Sequence, residues 1–267
     1  MKNLFYSTAI CFAAIVLTLQ FSSCEKAKTS SSVFNSNNNL LIELKKSTDE
    51  FVVNQNDIAI DSKAPKWLGI LKADLAGALT GFLVGGQPTA ILIGALSSIN
   101  AAERVGLPGN PNGTHPKSYP LNLYEFMGEQ HYSIISFIAN SPDLIFDGDV
   151  CNYDKYLDFN YLMLSISKFN DQRDICLNSI DNGLLIGISD TEFSLLTHIN
   201  QYDMAEIDKA FLIQYFLALD ATTNTDDFVN YSVLVESQVI SSDLSIDSKE
   251  LLLSMMSTAR LGVAYWN

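Results

Sequence analysis

An all-α, multi-helix bundle is the fold class this sequence predicts, and three observations predict it. Leu75 to Ala102 is a run of 28 residues without a charge, in which small residues recur every four positions. From Leu121 onward, apolar residues recur at spacings of three and four almost to the end of the chain. Nowhere does a sustained period-two alternation mark a half-buried strand. The organisation that follows is a leader at 1–23, a tether at 24–38 and one helical domain at 39–267. That domain contains a glycine-rich hairpin at 67–105 and a C-terminal helical bundle at 121–267.

Met1-Lys2-Asn3 leads into an apolar run from Ala9 to Leu19 that is short for a membrane span, then into Phe21-Ser22-Ser23-Cys24. One early cation, a short apolar core and small residues before a cysteine read as a secretory signal peptide. The last four residues look like a lipobox, so Cys24 is the expected lipidation site and the first residue of the mature chain. The alternative is an uncleaved N-terminal anchor. Either way the chain is expected at a membrane. Glu25 to Asn39 is rich in Ser, Asn and Lys and offers little to bury, which predicts a disordered tether.

Leu40, Leu41, Ile42 and Leu44, then Phe51, Val52 and Val53, sit in a polar frame and predict an amphipathic helix near 38–54. Asp57 to Pro65 reads as a loop. In the hairpin, Ala73, Gly77, Gly81 and Gly85 recur every four residues, as do Ala90, Gly94, Ser98 and Ala102. Four-residue spacing keeps each set on one helix face as a stripe poor in side chains, and two such stripes invite close packing. Gly85-Gly86-Gln87-Pro88 is the expected turn, because proline lacks an amide hydrogen and suits the first turn of a helix. Counted from Leu75 to Val84 and from Thr89 to Ala102, the arms reach only about 15 to 21 Å, short of a hydrocarbon core about 30 Å thick. That favours a hairpin packed inside a folded domain over one inserted in a bilayer, where small-residue stripes also pack helices.

Gly106 to Pro120 is dense in Pro, Gly and Asn and breaks the chain. Leu123, Phe126, Met127, Ile134, Phe137 and Ile138 then repeat at helical spacing until Ser141-Pro142. Asp147-Gly148-Asp149 reads as a turn. Tyr156 to Phe169 repeats the helical period, Ile175 and Ile180 less distinctly, and Thr191-Glu192 opens another helix. Met204 to Leu219 is a longer apolar helix, closed by Thr222-Thr223-Asn224-Thr225. Two more helices follow, over Phe228 to Ile240 and Leu251 to Trp266. The first carries Val229, Val233, Val235 and Val239, whose β-branching opposes helix; Ser245-Ile246-Asp247 supplies caps for the second.

With 30 acidic against 16 basic residues the formal net charge is −14, and removal of the leader takes only Lys2 from the charges. Such a chain repels phosphate backbones and anionic head groups, which excludes nucleic acid as a partner and leaves acyl chains or apolar sequence to hold a membrane. Setting aside Cys11 and Cys24, the remaining Cys151 and Cys176 either form a disulfide in an oxidising compartment or stay as two buried thiols. Closing the loop between them would stabilise by about 3 kcal/mol on a chain-entropy argument.

Candidate chemistry is sparse. No Gly-x-Ser-x-Gly turn, phosphate-binding loop or His-x-x-x-His pair occurs, and His115, His131 and His198 lie far apart, so neither a metal nor a cofactor is expected. Glu125 and Glu129 are i,i+4 neighbours with Gln130 between them and His131, which points away from Glu129; a solvated acidic face is the expectation. Asp147, Asp149, Asn152 and Asp154 could donate oxygens to calcium, but without the glycine and terminal glutamate of the twelve-residue loop they read as an ordinary turn.

The lipobox and Ser/Asn-rich tether, the run Ala73 to Gly86 with its Ala-Asp-Leu-Ala-Gly-Ala start, Gly94, the Gly128-x-x-His131 segment and the terminal Tyr265-Trp266 together resemble uncharacterised lipoproteins of Bacteroidota-type bacteria. In those proteins an asparagine often follows the histidine; here Tyr132 stands there. The resemblance implies a lipid anchor in the cell envelope, at the outer membrane, and a helical architecture. The expected function is that of a non-catalytic interaction or structural lipoprotein, with a protein or glycan as partner. The alternative is a membrane-active protein that inserts or oligomerises through its glycine-zipper hairpin. An enzyme built on Glu125 and Glu129 ranks third.

Overall fold

The computed structural model describes residues 37–55, 66–105, 118–141, 143, 146–147, 150–164 and 195–266. The expected signal peptide, Cys24 and most of the expected tether lie outside the described residues. So do the 106–117 break, Asp149, Ile175, Cys176, Ile180 and the expected helix start at Thr191, and hence any pairing of Cys151 with Cys176.

The chain is an all-α bundle. Among the described residues its helices are α1 (37–55), α2 (Lys66–Val105), α3 (Glu125–Asn140), α4 (Tyr153–Leu164), α5 (Leu195–Ile199), α6 (Glu206–Ala221), α7 (Thr225–Ser241) and α8 (Ile246–Trp266). A two-residue antiparallel bridge, β1 (Phe146–Asp147) with β2 (Val150–Cys151), pairs Asp147 with Val150 across the expected turn.

Helix α8 is the axis of the bundle. Every described residue from Leu251 to Val263 is buried, including Ser254, Ser257, Thr258 and Arg260. A helix buried all round has neighbours on all sides. Gln87 bonds Glu250 near its start, and Asp74 lies against Gly262 near its end, so the first arm of α2 runs antiparallel to it. Lys249 reaches the Ile240 carbonyl and Arg260 reaches Glu236, which makes α7 antiparallel as well. Asp208 with Ser248 and Tyr215 with Met256 place α6 parallel, and Glu125 with Ser257 and Tyr132 with Tyr265 do the same for α3.

Helix α2 is two helices joined at Gly86, whose backbone (φ 75°, ψ −163°) is a conformation open essentially to glycine alone. The arms fold back on each other. A Cβ added at Gly77 would lie 2.7 Å from the Ile93 carbonyl oxygen, and one at Gly81 would lie 2.4 Å from that of Thr89; Gly94 approaches the Ala78 backbone. Ala73, Ala90 and Ser98 are buried, while Gly85 sits half-buried at the tip. Thr80, Ser97 and Ser98 satisfy their buried hydroxyls on carbonyls of their own helix, at 2.8–3.1 Å, so the apolar arms carry polar atoms without exposing them.

The arm lengths correct the expectation. Gly86 divides the 40 residues of α2 nearly in half, so each arm is about 30 Å long, not 15 to 21 Å. The first arm is longer because Lys72 and Asp74 are accommodated within it: Lys72 pairs with Asp220 at 2.7 Å, and Asp74 is buried against α3. Arm length therefore does not argue against insertion; burial does. The 18-residue window of α2 apolar enough to span a membrane is 61% buried inside the bundle.

Local chemistry sets the other boundaries. Asn224 accepts from the amides of Asp226 and Asp227 at 2.9 and 3.3 Å, so the polar run that closes α6 also caps α7. The valines of α7 are held in a helix by burial of Val229, Val235 and Val239, which overrides their propensity. Ser245 accepts from the Ser248 amide at 3.1 Å and starts α8. At the far end of α1, buried Gln55 accepts from the backbone amides of Thr223 and Asn224 and donates to Asp227, fastening the α6–α7 turn.

Gly81→Ala is expected to destabilise the bundle by about 1–3 kcal/mol, since backbone rather than a movable side chain meets the new methyl. Gly69→Ala, exposed with nothing within 4 Å of its added Cβ, is expected to stabilise by about 0.5–1 kcal/mol. Urea melts of the two variants check both signs.

Candidate functional site

The polar groups that the bundle buries form a seam along α8, and α2, α3 and α7 each contribute to it. Arg260 carries the centre. It is fully buried; its Nε donates to Glu236 Oε1 at 2.8 Å, and its Nη2 donates to Glu125 Oε2 and, at 3.3 Å, to Glu236 Oε2. Asn122 donates to Glu236 at 2.8 Å and to the Leu253 carbonyl at 3.0 Å; Ser232 donates to Glu236 at 3.1 Å and exchanges a 2.7 Å bond with the Tyr215 hydroxyl. Ser257 donates to the Glu125 carbonyl at 3.0 Å and accepts from the Gly128 amide at 3.2 Å, supplying a partner to the first turn of α3.

One cation faces two carboxylates, and the protein compensates. Burial pushes Glu236 above the ordinary carboxylate range, against the opposing hydrogen bond and charge of Arg260. Burial also pulls the guanidinium down, but the bonds and charge of Glu236, then of Glu125, outweigh that and hold it above its usual value. Burial, reinforced by Glu236, raises Tyr215 well above a free phenol, so it stays a neutral partner in the network.

One turn of α8 further on, His131 Nε2 lies 2.9 Å from both carboxylate oxygens of Asp74, with both side chains buried. Burial raises the Asp74 carboxyl, and the charge and hydrogen bond of His131 oppose the rise. On the other side of α2, Thr80 bonds both His198 Nε2 at 3.0 Å and the Tyr202 hydroxyl at 2.6 Å, joining the hairpin to α5. Burial lowers His198, so the neutral ring is the stable form there.

The structure revises the acidic face. Glu125 is buried in the Arg260 network, whereas Glu129, four residues on, is exposed. The expected solvated face fails at Glu125 because the first turn of α3 lies against Ser257 and Arg260, and Gly128 lets the backbones come close: a Cβ there would sit 2.6 Å from the Ser257 carbonyl oxygen. His131 and Glu129 do face opposite ways. Asp147 pairs with Lys155 at 2.5 Å and accepts from Asn152 at 2.9 Å, contacts that use both of its carboxylate oxygens; Asp149 lies outside the described residues. Among the described residues, no three His, Cys, Asp or Glu side chains converge as a metal site. The sequence reading missed Asp74, Glu236, Arg260 and Gln55. A signal existed for Arg260, the lone charge in the stretch Leu251 to Trp266 that is otherwise apolar or small.

A shallow groove of about 370 Å³ lies between α1 and α7, lined in part by Glu50, Asn54, Gln55, Asp227 and Asn230. Chemically, the seam ties helices together: its charges pair with one another and lie almost wholly out of water, Glu125 keeping about a tenth of its side chain exposed.

Comparison with protein-family models, curated proteins and solved structures finds no match for this chain.

Arg260→Met, which leaves Glu125 and Glu236 buried without their cation, is expected to cost about 3–5 kcal/mol in urea unfolding. The raised carboxyls give the pH dependence its sign. A group whose folded pKa lies above its unfolded value binds protons more tightly when folded, so its contribution is full below the unfolded value and is lost as pH rises through the folded one. For Asp74 the loss begins above 3.8. Asp74→Asn is therefore expected to flatten the fall of stability with pH that begins there, which urea midpoints measured across the acid range will show.

Proposed function

We propose that this chain is a lipid-anchored protein of the bacterial cell envelope, held at the outer membrane through Cys24, with a non-catalytic interaction or structural role. The observation that supports the role most directly is the sealed seam. Asp74, His131, Glu236 and Arg260 are each 1% exposed or less and pair Asp74 with His131 and Glu236 with Arg260, so these four groups tie helices together and lie out of reach of a substrate in solution. The lipobox-like Phe21-Ser22-Ser23-Cys24 supports the anchor. A protein or glycan is the partner class this role implies, met by the outer faces of the bundle.

One observation favours a second reading, in which the hairpin acts on membranes: α2 contains a stretch apolar and long enough to span a bilayer. Insertion would require the arms to leave α8, stripping Asp74 from His131 and Gln87 from Glu250.

Metabolic labelling with an alkyne-tagged palmitate is expected to mark the wild type and not Cys24→Ala, and the variant is expected to leave the membrane fraction. Added to dye-filled vesicles, the acylated protein is expected to cause no release. Release that Gly81→Leu abolishes would establish the membrane-active reading instead.

A further inference from the structure

The two ends of the bundle differ, and the difference points at the membrane. Helix α1 runs antiparallel to α7: Gln55 bonds Asp227, Thr48 bonds Tyr231 at 2.8 Å and Gln238 reaches Ser47 at 3.5 Å. The start of α1, from which the chain leads back to Cys24, therefore lies beside the α7–α8 turn. The hairpin tip is at that end too, because Gln87 bonds Glu250 at 2.8 Å. The 119–124 segment joins it, since Asn122 bonds the Leu253 carbonyl and Tyr124 feels the charges of Glu250 and Asp247.

Nine large apolar side chains stand exposed among the described residues, and four of them, Val84, Leu121, Leu123 and Ile246, belong to the segments that meet at this end. The most exposed are at the end itself: Leu123 at 82%, Ile246 at 76% and Leu121 at 67%. With Val84 the four come from three separate segments, the 119–124 loop, the hairpin tip and the start of α8, so no single helix's amphipathicity accounts for their gathering. From Cys24 to the start of α1 are about 13 residues, which span at most about 45 Å when fully extended. An acylated Cys24 thus brings the bilayer within reach of this end, beside which α1 begins; α1 is only about 28 Å long, so the tether alone does not choose between the two ends, and the exposed apolar side chains make that choice.

We propose that the hairpin-tip end is a membrane-docking surface, on which Val84, Leu121, Leu123 and Ile246 enter the interface of the bilayer that holds the Cys24 acyl chains. The inference rests on the lipid-anchor reading and deepens it. Asp247 and Glu250 stand beside these residues and the chain is strongly acidic, so the contact is apolar rather than electrostatic: it persists at high salt and gains nothing from anionic lipid.

The test uses the full, acylated chain in phosphatidylcholine vesicles with brominated acyl chains, comparing tryptophan quenching in Leu123→Trp, Ile246→Trp and Val53→Trp. Trp67 and Trp266 are buried and contribute a common background. Val53 is exposed but lies about 24 Å along α1 from its start, toward the other end. Flotation with the vesicles reports the anchor separately. The expected result is flotation of all three, with at least twofold more quenching of the added tryptophan at 123 and 246 than at 53. Flotation without that difference would overturn the docking surface and leave the anchor standing. Flotation without lipid quenching, but with Leu123→Trp shielded from acrylamide, would mean that a protein covers the surface and would overturn the proposal equally. Failure to float would overturn the anchor reading and the docking surface with it.

Discussion

A guanidinium sealed inside a helical bundle is a demanding constraint, and the arrangement around Arg260 answers it. Removing such a charge from water costs several kcal/mol unless carboxylates and further hydrogen bonds replace the lost solvation. The replacements here come from α3 and α7, so α8 is locked to both by one residue: Glu125 on the parallel α3 and Glu236 on the antiparallel α7 converge on it. The surplus negative charge is absorbed by Asn122 and Ser232, which donate to Glu236, and by burial, which favours its protonated form. Apolar packing alone tolerates sliding between helices; a guanidinium with two required partners does not. The register of three helices is thereby set.

The hairpin uses the opposite device. Where Arg260 demands partners, Gly77, Gly81 and Gly94 demand their absence, letting the α2 arms meet backbone to backbone. The principle recurs on α8, where Gly262 makes room for Leu71 and the Asp74 carboxylate, and on α3, where Gly128 receives Ser257. Close backbones bring buried polar atoms within bonding distance of one another. The Asp74–His131 pair and the Ser257 bridge therefore depend on the same small residues that shape the packing. Small residues and buried charges work as one system: the first permit the approach, the second make it specific.

This economy of interior charge bears on the outside. The bundle spends its apolar side chains on α8 and the hairpin, yet leaves Leu121, Leu123 and Ile246 in solvent at the end where α1 begins. A chain with 48% hydrophobic residues is expected to expose some of them singly. Two separate segments exposing them together at one end is a different matter, and the proposed membrane contact rests on it.

Features set by neighbouring residues were legible in the sequence: helical periodicity, the turn at Gly85-Gly86-Gln87-Pro88, the cap at Ser245, and the spacing of Gly77, Gly81 and Gly94, where the arms approach. Each depends on side-chain spacing or on one backbone conformation, and such information is local. The fate of individual polar residues was not legible. Glu125 and Glu129 are equivalent in spacing and chemistry, and only the position of α8, 135 residues along the chain from Glu125 at Arg260, buries one and exposes the other. Asp74 looked like an interruption of an apolar arm until α3 brought His131 to it. Sequence alone determined that this protein is helical and where its hairpin turns; the tertiary structure decided which charges are interior and whom they meet, because a buried charge is stable only beside partners that distant helices deliver.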